Sequence, residues 1–158
     1  KVIKEFVTCS LTDAFSPSYC SVPGIYCDYR GMVNSLDLGG RSLAGCSIPY
    51  SISKLSALTK LSLANNKLMG TIPDSISTLT KLWKLELWKN QLSGSIPSGI
   101  MQLPRLAYLG LSQNQLSGSI PGMTTESAHN YLNLQLQGNQ LSGTLPPSLG
   151  KIYTLSID

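Results

Sequence analysis

The stretch LELWKNQLSGSIP at residues 85–97 decides the fold, because versions of it recur along the chain. Ile-Pro pairs at 72–73, 96–97 and 120–121 follow one another every 24 residues, with another at 48–49 and Leu-Pro at 145–146. The pattern L-x-L-x-x-N-x-L-x-G precedes these pairs at residues 36–45, 61–70, 85–94, 109–118 and 134–143, the first with Arg in place of Asn. Five repeats are therefore present, and residues 155–158 look like the start of a sixth. A period of this length is typical of solenoids.

Alternating leucines in each repeat predict a short β-strand, since side chains two residues apart point to the same face. One repeat cannot bury that face alone, whereas stacked repeats bury it in a continuous core beneath a parallel sheet. The returning segments, such as 73–82 and 97–106, carry an apolar residue about every three positions. This spacing favours 3₁₀ turns over long α-helices.

An asparagine follows the strand in four of the five repeats, at Asn66, Asn90, Asn114 and Asn139, whereas repeat one has Arg41. The chain must turn inside the stack at this point, and an amide side chain can both donate to and accept from buried backbone groups. We therefore predict an asparagine ladder along the solenoid. The glycine four residues later permits a tight approach or a positive φ, and the later proline keeps the chain extended.

The composition indicates a folded chain with few charges. Hydrophobic residues make up 42% of the 158 residues, which excludes a disordered chain, and charged residues make up only 13%. The net charge of +4 is mild, and the basic residues are scattered. Nucleic-acid binding needs a dense basic stripe, so we expect no nucleic-acid partner. No segment approaches the roughly 20 apolar residues of a membrane helix, and Lys1 to Val7 has no apolar run typical of a signal peptide.

The four cysteines, Cys9, Cys20, Cys27 and Cys46, lie in the first third of the chain. An even number at one end indicates a disulfide-stapled cap in an oxidising compartment, although free buried thiols are an alternative. Their spacings differ from the short pairs of zinc fingers and no histidine lies near them, so we predict no metal. We divide the chain into a cap at 1–32 and repeats at 33–158, and expect a secreted or extracellular, cell-surface protein.

The full consensus L-x-x-L-x-L-x-x-N-x-L-x-G-x-I-P resembles the plant-type extracellular leucine-rich repeat of receptor-kinase ectodomains and polygalacturonase-inhibiting proteins. The resemblance covers about residues 20–155. It implies a leucine-rich-repeat solenoid, a right-handed superhelix with a parallel β-sheet on its concave face and 3₁₀ or irregular turns on its convex side. Segment 19–27 resembles the cap signature of that family, and segment 31–38 resembles its entry into the first repeat. By this resemblance Cys20 pairs with Cys27, which leaves Cys9 and Cys46 for a second bridge.

Catalytic machinery is not recognisable in the sequence. The one histidine, His129, has no metal-ligating cluster around it, and neither a nucleophile elbow nor a phosphate-binding loop occurs. It lies in the least regular stretch, 122–130, either as an exposed loop residue or as a pH-sensitive contact. We therefore predict a non-enzymatic protein without a cofactor.

The strand residues between the leucines should point outward across the concave face. Trp88 stands out among them as a large residue expected to be exposed, and Trp and Tyr are frequent binding hot spots. The predicted ligand-binding residues are Lys60, Lys84, Glu86, Trp88, Lys89, Tyr108, Gln113 and Gln135. The alternative is a Trp88 that lies flat on neighbouring strands, with lysines that serve solubility. Trp83 is interpreted as packing at the sheet edge.

The leading function is recognition of a protein, peptide or glycan of acidic character, as in a short receptor-kinase ectodomain. A first alternative is a structural protein that assembles end to end. The C-terminal end has no recognisable cap, and an open solenoid end exposes apolar core and strand edges, which predicts self-association there. A second alternative is an inhibitor of a wall-degrading glycosidase, although such inhibitors usually carry about twice as many repeats.

Overall fold

The computed structural model describes residues 19–123, 132–151 and 153–157. Seven short strands form the main sheet. They are β1 (Ile25–Cys27), β2 (Val33–Asp37), β3 (Lys60–Ser62), β4 (Lys84–Glu86), β6 (Tyr108–Gly110), β8 (Asn133–Gln135) and β10 (Thr154–Ser156). These strands lie side by side in chain order. The strands from β2 onward pair in parallel, while β1 pairs antiparallel to β2 and closes that edge of the sheet.

A smaller parallel sheet is formed just after the main strands, where each repeat leaves the first sheet. Its members are β5 (Ser93–Gly94), β7 (Gln115–Gly118) and β9 (Gln140–Leu141). A single bridge between Thr71 and Ser93 extends this pairing to repeat two. Each of the central repeats therefore contributes backbone hydrogen bonds to its neighbours at two places.

The chain returns between strands through short 3₁₀ helices, as the three-residue apolar spacing predicts. They are η1 (Tyr19–Ser21) in the cap and then η2 (Tyr50–Lys54), η3 (Asp74–Thr78), η4 (Ser98–Gln102) and η5 (Pro147–Lys151). The proline of the Ile-Pro pair is the N-cap of η2, η3 and η4. Its fixed φ keeps the chain extended until the turn begins. The part of the chain that the structure describes contains no α-helix, and none of its helices is long and apolar enough to cross a membrane.

The strand leucines form the continuous core that the repeat pattern predicts. Leu36, Leu61, Leu85, Leu109 and Leu134 are paired one with the next across the sheet, and each is at most 1% exposed. Burial of one such side chain contributes about 1.5–3 kcal/mol. Because these leucines pack against their counterparts in adjacent repeats, the core is continuous from one repeat to the next.

The asparagine that recurs once per repeat from repeat two onward places its amide between adjacent repeats. Asn90 Oδ1 accepts the backbone N–H groups of Asn66 and Leu68 at 3.1 and 2.9 Å, and its Nδ2 donates to the carbonyls of Leu63 and Leu87 at 3.0 and 2.9 Å. The amides with comparable bonds are Asn66, Asn114 and Asn139. In this way buried backbone groups are paired at each turn.

The cap pairs with the main sheet through β1, and a disulfide joins η1 to β1. Cys20 and Cys27 are bonded, with their Cα atoms 5.6 Å apart, as the resemblance implied. Cys46 is 1% exposed in the core. Its proposed partner Cys9 lies outside the described residues, as does His129, so the second bridge and the pH-sensitive contact stay predictions.

Candidate functional site

The outward side of the main sheet, hereafter the concave face, carries most of the predicted binding residues in two rows. The first row contains Lys60, Lys84 and Tyr108, which are neighbours in the strand register. The second row contains Glu86 and Gln135, which flank Gly110. The structure therefore brings five of the eight predicted residues together on consecutive strands. The other three, Trp88, Lys89 and Gln113, lie just beyond the strand ends.

Two ion pairs neutralise most of the lysine charge on this face. Lys60 Nζ lies 2.8 Å from Asp37 Oδ2, and Lys84 Nζ lies 3.1 Å from Glu86 Oε1. The hydrogen bond from Lys60 lowers the pKa of Asp37, and the same bond raises the pKa of Lys60. Asp37 was absent from the predicted site, although its strand position could have identified it. The cluster is consequently a paired network and not a free basic patch.

Tyr108 is held from both sides. Lys84 Nζ lies 5.0 Å from the centroid of its ring, within cation–π distance. Its hydroxyl donates to Gln135 Oε1 at 3.0 Å. Partial burial, together with the charge of Glu86, raises the pKa of Tyr108. Glu86, Lys84, Tyr108 and Gln135 thus form a connected polar chain across three strands.

Trp88 is half-buried, which corrects the expectation that it is exposed. The nearby outward positions are small: Ala64, Gly110 and Ser112 are all buried. A Cβ built on Gly110 would lie 3.2 Å from Trp88 Cδ1, so the edge of the indole lies against that glycine. Lys89 Nζ lies 5.6 Å from the ring centroid. Trp88 therefore lies against a neighbouring strand, and part of its side chain stays accessible.

Lys89 and Gln113 lie in a left-handed turn, which the repeat pattern did not predict. Their φ angles are 54° and 56°, and Asn65 has 57° at the same place in repeat two. Gly40 and Gly138 occupy this position in the first and last full repeats, with φ of 66° and 72°. Those two glycines are the feature of the sequence that could have predicted the left-handed turn. Lys89 and Gln113 are therefore presented to solvent by a strained turn.

Exposed hydroxyl side chains form a column on the flank where the main strands end. They are Ser47, Thr71, Ser95, Ser119 and Thr144. A glycine of the next repeat adjoins the hydroxyl residue: a Cβ on Gly94 would lie 3.0 Å from Thr71 Cγ2, and one on Gly143 would lie 3.6 Å from Ser119 Cβ. The recurring glycine therefore has a steric reason besides its positive φ.

Two cavities lie at opposite ends of the described solenoid. One, of about 160 Å³, is lined by Ile120, Leu136, Leu145 and other residues near the C-terminal end. The other, of about 490 Å³, lies between the cap and Asp37. Self-association through the C-terminal end stays a prediction. Within the described residues, no group of three His, Cys, Asp or Glu side chains could hold a metal ion.

Comparison with known proteins agrees with this architecture. Models of the leucine-rich repeat match residues 56–116 and 131–152. Among curated protein sequences, none matches the chain. The ectodomain of the receptor kinase SOBIR1 from Arabidopsis thaliana is 30% identical, with a TM-score of 0.80, and the match covers 99% of this chain and 88% of that chain.

Two further solved structures are similar over shorter parts of their own length. The Arabidopsis receptor kinase HAESA, in complex with the peptide hormone IDA and the co-receptor SERK1, gives 38% identity over 89% of this chain and 24% of the other, with a TM-score of 0.73. A plant ice-binding protein gives 26% identity over 99% and 61%, with a TM-score of 0.74. The chain therefore belongs to the plant-type leucine-rich-repeat family that includes receptor-kinase ectodomains.

Proposed function

We propose that the protein is an extracellular recognition module that binds a protein or peptide on its concave face. The observation that carries this proposal is the pair of aromatic side chains on consecutive repeats, Trp88 and Tyr108, each with a lysine against its ring. Aromatic side chains that are already immobilised bind at a lower entropic cost. The concave face thus combines two fixed aromatic anchors with polar groups.

The charge of the site favours an extended partner with few acidic groups. Lys60 and Lys84 are paired with Asp37 and Glu86, so Lys89 supplies the one surplus positive charge among these five residues. A strongly acidic partner would have to compete with the existing carboxylates. The HAESA structure contains a peptide hormone, which supports a peptide as the ligand class.

Extracellular localisation is part of the same proposal. The Cys20–Cys27 disulfide is typical of an oxidising compartment. The HAESA structure is a complex with a peptide hormone and a co-receptor, and we propose a binding role without catalysis for this chain too. A glycan ligand and inhibition of a glycosidase remain alternatives that no described contact favours.

Affinity capture from an extracellular extract, followed by titration of the captured partner, tests the concave face. Trp88→Ala and Tyr108→Ala should each weaken binding by about 2 kcal/mol or more. Tyr50→Ala is the matched control, because Tyr50 is a 74% exposed aromatic on η2, outside the sheet. Equal affinities for all three variants and the parent protein would exclude the concave face as the main contact surface.

Ice binding is a second candidate, and the hydroxyl column favours it. Ser47, Thr71, Ser95, Ser119 and Thr144 repeat once per coil on an exposed flank. Regularly spaced hydroxyls can hold ordered water through hydrogen bonds, and the plant ice-binding protein is similar over 99% of this chain. Ice-recrystallisation assays of the parent protein and of Ser95→Lys test this candidate. Equal and negligible inhibition by both proteins would reject it.

A further inference from the structure

The cavity between the cap and repeat one, hereafter the cap cavity, contains an arginine that the proposed concave site does not use. Its walls include Tyr26 on β1, Asp37 at the end of β2, and then Gly39 and Arg41. The volume of about 490 Å³ lies within the range of roughly 300–1,000 Å³ that is usual for small-molecule sites. A ligand of small-molecule size therefore fits the cap cavity.

Arg41 stands where the later repeats carry the ladder asparagine. Its backbone N–H donates to Asn66 Oδ1 at 2.8 Å, so the ladder continues into repeat one without an amide there. The exposed side chain turns to the cap instead, where Nη2 donates to the Pro23 carbonyl at 3.1 Å. A guanidinium has five N–H donors, and Arg41 forms no ion pair within the described residues. Donors therefore remain at the cavity wall for a carboxylate, which arginine can bind by two parallel hydrogen bonds.

Gly39 leaves a space beside two other polar groups of the same cavity. A Cβ built on Gly39 would lie 3.6 Å from both Asp37 Oδ1 and Ser62 Oγ, and 3.5 Å from the Ala64 carbonyl oxygen. That carbonyl already accepts two hydrogen bonds. Asp37 Oδ1 receives a weak bond of 3.5 Å from the Gly39 N–H, while its other oxygen binds Lys60. The space thus borders a carboxylate oxygen and a hydroxyl that can accept from an ammonium.

The charges around the cap cavity suit a ligand that carries both signs. The hydrogen bond from Lys60 holds the pKa of Asp37 below its usual value, so Asp37 is ionised at neutral pH. Asp37 and Lys60 neutralise each other, and Arg41 adds one positive charge. A simple cation would be repelled by the two basic groups, and a simple anion would be repelled by Asp37. A zwitterion can meet each charge with its opposite.

The walls of the cap cavity are held in place before a ligand binds. The Asp37 N–H donates to the Gly24 carbonyl at 2.6 Å. A Cβ on Gly24 would overlap the Asp37 carbonyl, so only glycine allows this close approach of the cap. Cys20, which also lines the cavity, is bonded to Cys27. A site that is already rigid binds its ligand at a lower entropic cost.

We infer that the cap cavity binds a zwitterion of the amino-acid type, either a free amino acid or a short peptide. Its carboxylate would accept from Arg41, and its ammonium would donate to Asp37 Oδ1 and Ser62 Oγ. An apolar side chain of the ligand would lie on Tyr26, which is 58% exposed. The inference goes beyond the proposed function and does not depend on it, because Tyr108 lies three strands from β2, about 14 Å away.

NMR titration of the isotope-labelled full chain with phenylalanine and with the dipeptide alanyl-phenylalanine tests the inference. The backbone amide signals of Gly39 and Arg41 should shift until they saturate, and the probe that binds more tightly shows whether the ligand is an amino acid or a peptide. Arg41→Gln should weaken binding about tenfold, because the carboxylate loses its charged partner. Arg30→Gln is the matched control, since Arg30 is an exposed cap arginine whose guanidinium lies 5.2 Å from the Tyr29 ring centroid.

Gly39→Ala tests the ammonium position separately. The φ of Gly39 is not positive and its new methyl group would make ordinary contacts, so the variant should fold like the parent protein. The methyl group would occupy the space beside Asp37 Oδ1, and phenylalanine should again bind about tenfold more weakly. Gly150→Ala is the matched control, because its φ is not positive either and its Cβ would meet nothing within 4 Å. Thermal melts of each variant separate lost binding from lost folding.

Three results would overturn the inference. The first is the absence of shifts at the cavity amides with either probe at millimolar concentration. The second is binding of N-acetylphenylalanine or phenylalaninamide as tight as that of phenylalanine, because these analogues lack the ammonium and the carboxylate respectively. The third is an equal loss of affinity in Arg30→Gln and Arg41→Gln, which would indicate general charge attraction. Trp88→Ala should leave these titrations unchanged, so failure of the cap cavity and failure of the concave face are distinguishable.

Discussion

The side-chain oxygen of Asn90 accepts a hydrogen bond from the backbone N–H of Leu68, in the preceding repeat, at 2.9 Å. The same side chain donates to the Leu63 carbonyl of that repeat and to the Leu87 carbonyl of its own repeat. One amide therefore satisfies backbone groups on both sides of a repeat boundary. The asparagine ladder therefore joins adjacent repeats by hydrogen bonds, in addition to the packing of their leucines.

Asn90→Ala should destabilise the protein by at least about 1–3 kcal/mol, because it leaves buried backbone donors and acceptors without partners. Urea denaturation followed by circular dichroism measures the change. Gln91→Ala is the control: Gln91 is the adjacent residue and its side chain is exposed. An Asn90→Ala variant as stable as Gln91→Ala would show that the ladder contributes little.

Glycines at the same place in different repeats should respond differently to an added methyl group. Gly94 and Gly45 both have a positive φ, of 78° and 76°. A Cβ on Gly94 would lie 3.0 Å from Thr71 Cγ2, whereas a Cβ on Gly45 would meet nothing within 4 Å. Gly45→Ala should therefore lower the free energy of unfolding by the backbone strain alone, about 1–2 kcal/mol. Gly94→Ala should lower it further, because of the added contact with Thr71.

Melting temperatures of both glycine variants check this difference. The variant Gly94→Ala/Thr71→Ser removes the methyl group that the new Cβ would meet, so it should recover part of the loss. If Gly45→Ala and Gly94→Ala prove equally destabilised, backbone strain alone explains the recurring glycine.

The sequence predicts the architecture well because one repeat constrains the next. The alternation of leucines predicts β4, and the 24-residue spacing then predicts its neighbours β3 and β6. The second sheet was not predicted, because its strands, such as Ser93–Gly94, are too short and too polar for an alternating pattern. They form because the leucine core brings adjacent backbones within hydrogen-bonding distance.

The Lys60–Asp37 pair predicts a specific response to acid. Since the folded-state pKa of Asp37 lies below its ordinary value of 3.8, the pair stabilises the fold above that pH, and the contribution disappears as the pH falls through the folded-state value. Because the folded-state pKa of Lys60 is raised above 10.5, the contribution of Lys60 is fully present below pH 10.5 and is lost as the pH rises through that folded-state pKa. Both side chains are partly exposed, so the effect should be about 1 kcal/mol or less.

Lys60→Met should raise the pKa of Asp37 toward its ordinary value, because it removes the hydrogen bond that is the largest cause of the shift. Carboxyl NMR titration measures this directly. Lys89→Met serves as the control, since Lys89 contacts the Trp88 ring and no described carboxylate. An unchanged Asp37 titration in Lys60→Met would mean that the pair does not persist in solution.

The site was less predictable than the fold, and the two tryptophans illustrate why. Strand periodicity correctly places Trp88 on the outward side, but its exposure depends on the size of residues in other repeats. Gly110, 22 positions later, lets the indole lie against the sheet. Trp83 has no comparable cover from Thr59 or Ala107 and stays exposed. A pattern within one repeat contains no information on such contacts.

Gly110→Ala should therefore change the position of Trp88 without disrupting the strand. The new Cβ would lie 3.2 Å from Trp88 Cδ1 and 3.0 Å from Tyr108 Cε1, and both are side-chain atoms that can move. The φ of Gly110 is not positive, so alanine is compatible with the backbone of β6. We expect a loss of about 1 kcal/mol in the free energy of unfolding, at the low end for overpacking.

In a Trp83→Phe background, where Trp88 is the one tryptophan, acrylamide should quench its fluorescence more strongly after Gly110→Ala. The partner captured on the concave face should bind this variant more weakly, because the two aromatic anchors are displaced together. Unchanged quenching would mean that the indole does not lie against Gly110, and the explanation for its partial burial would fail.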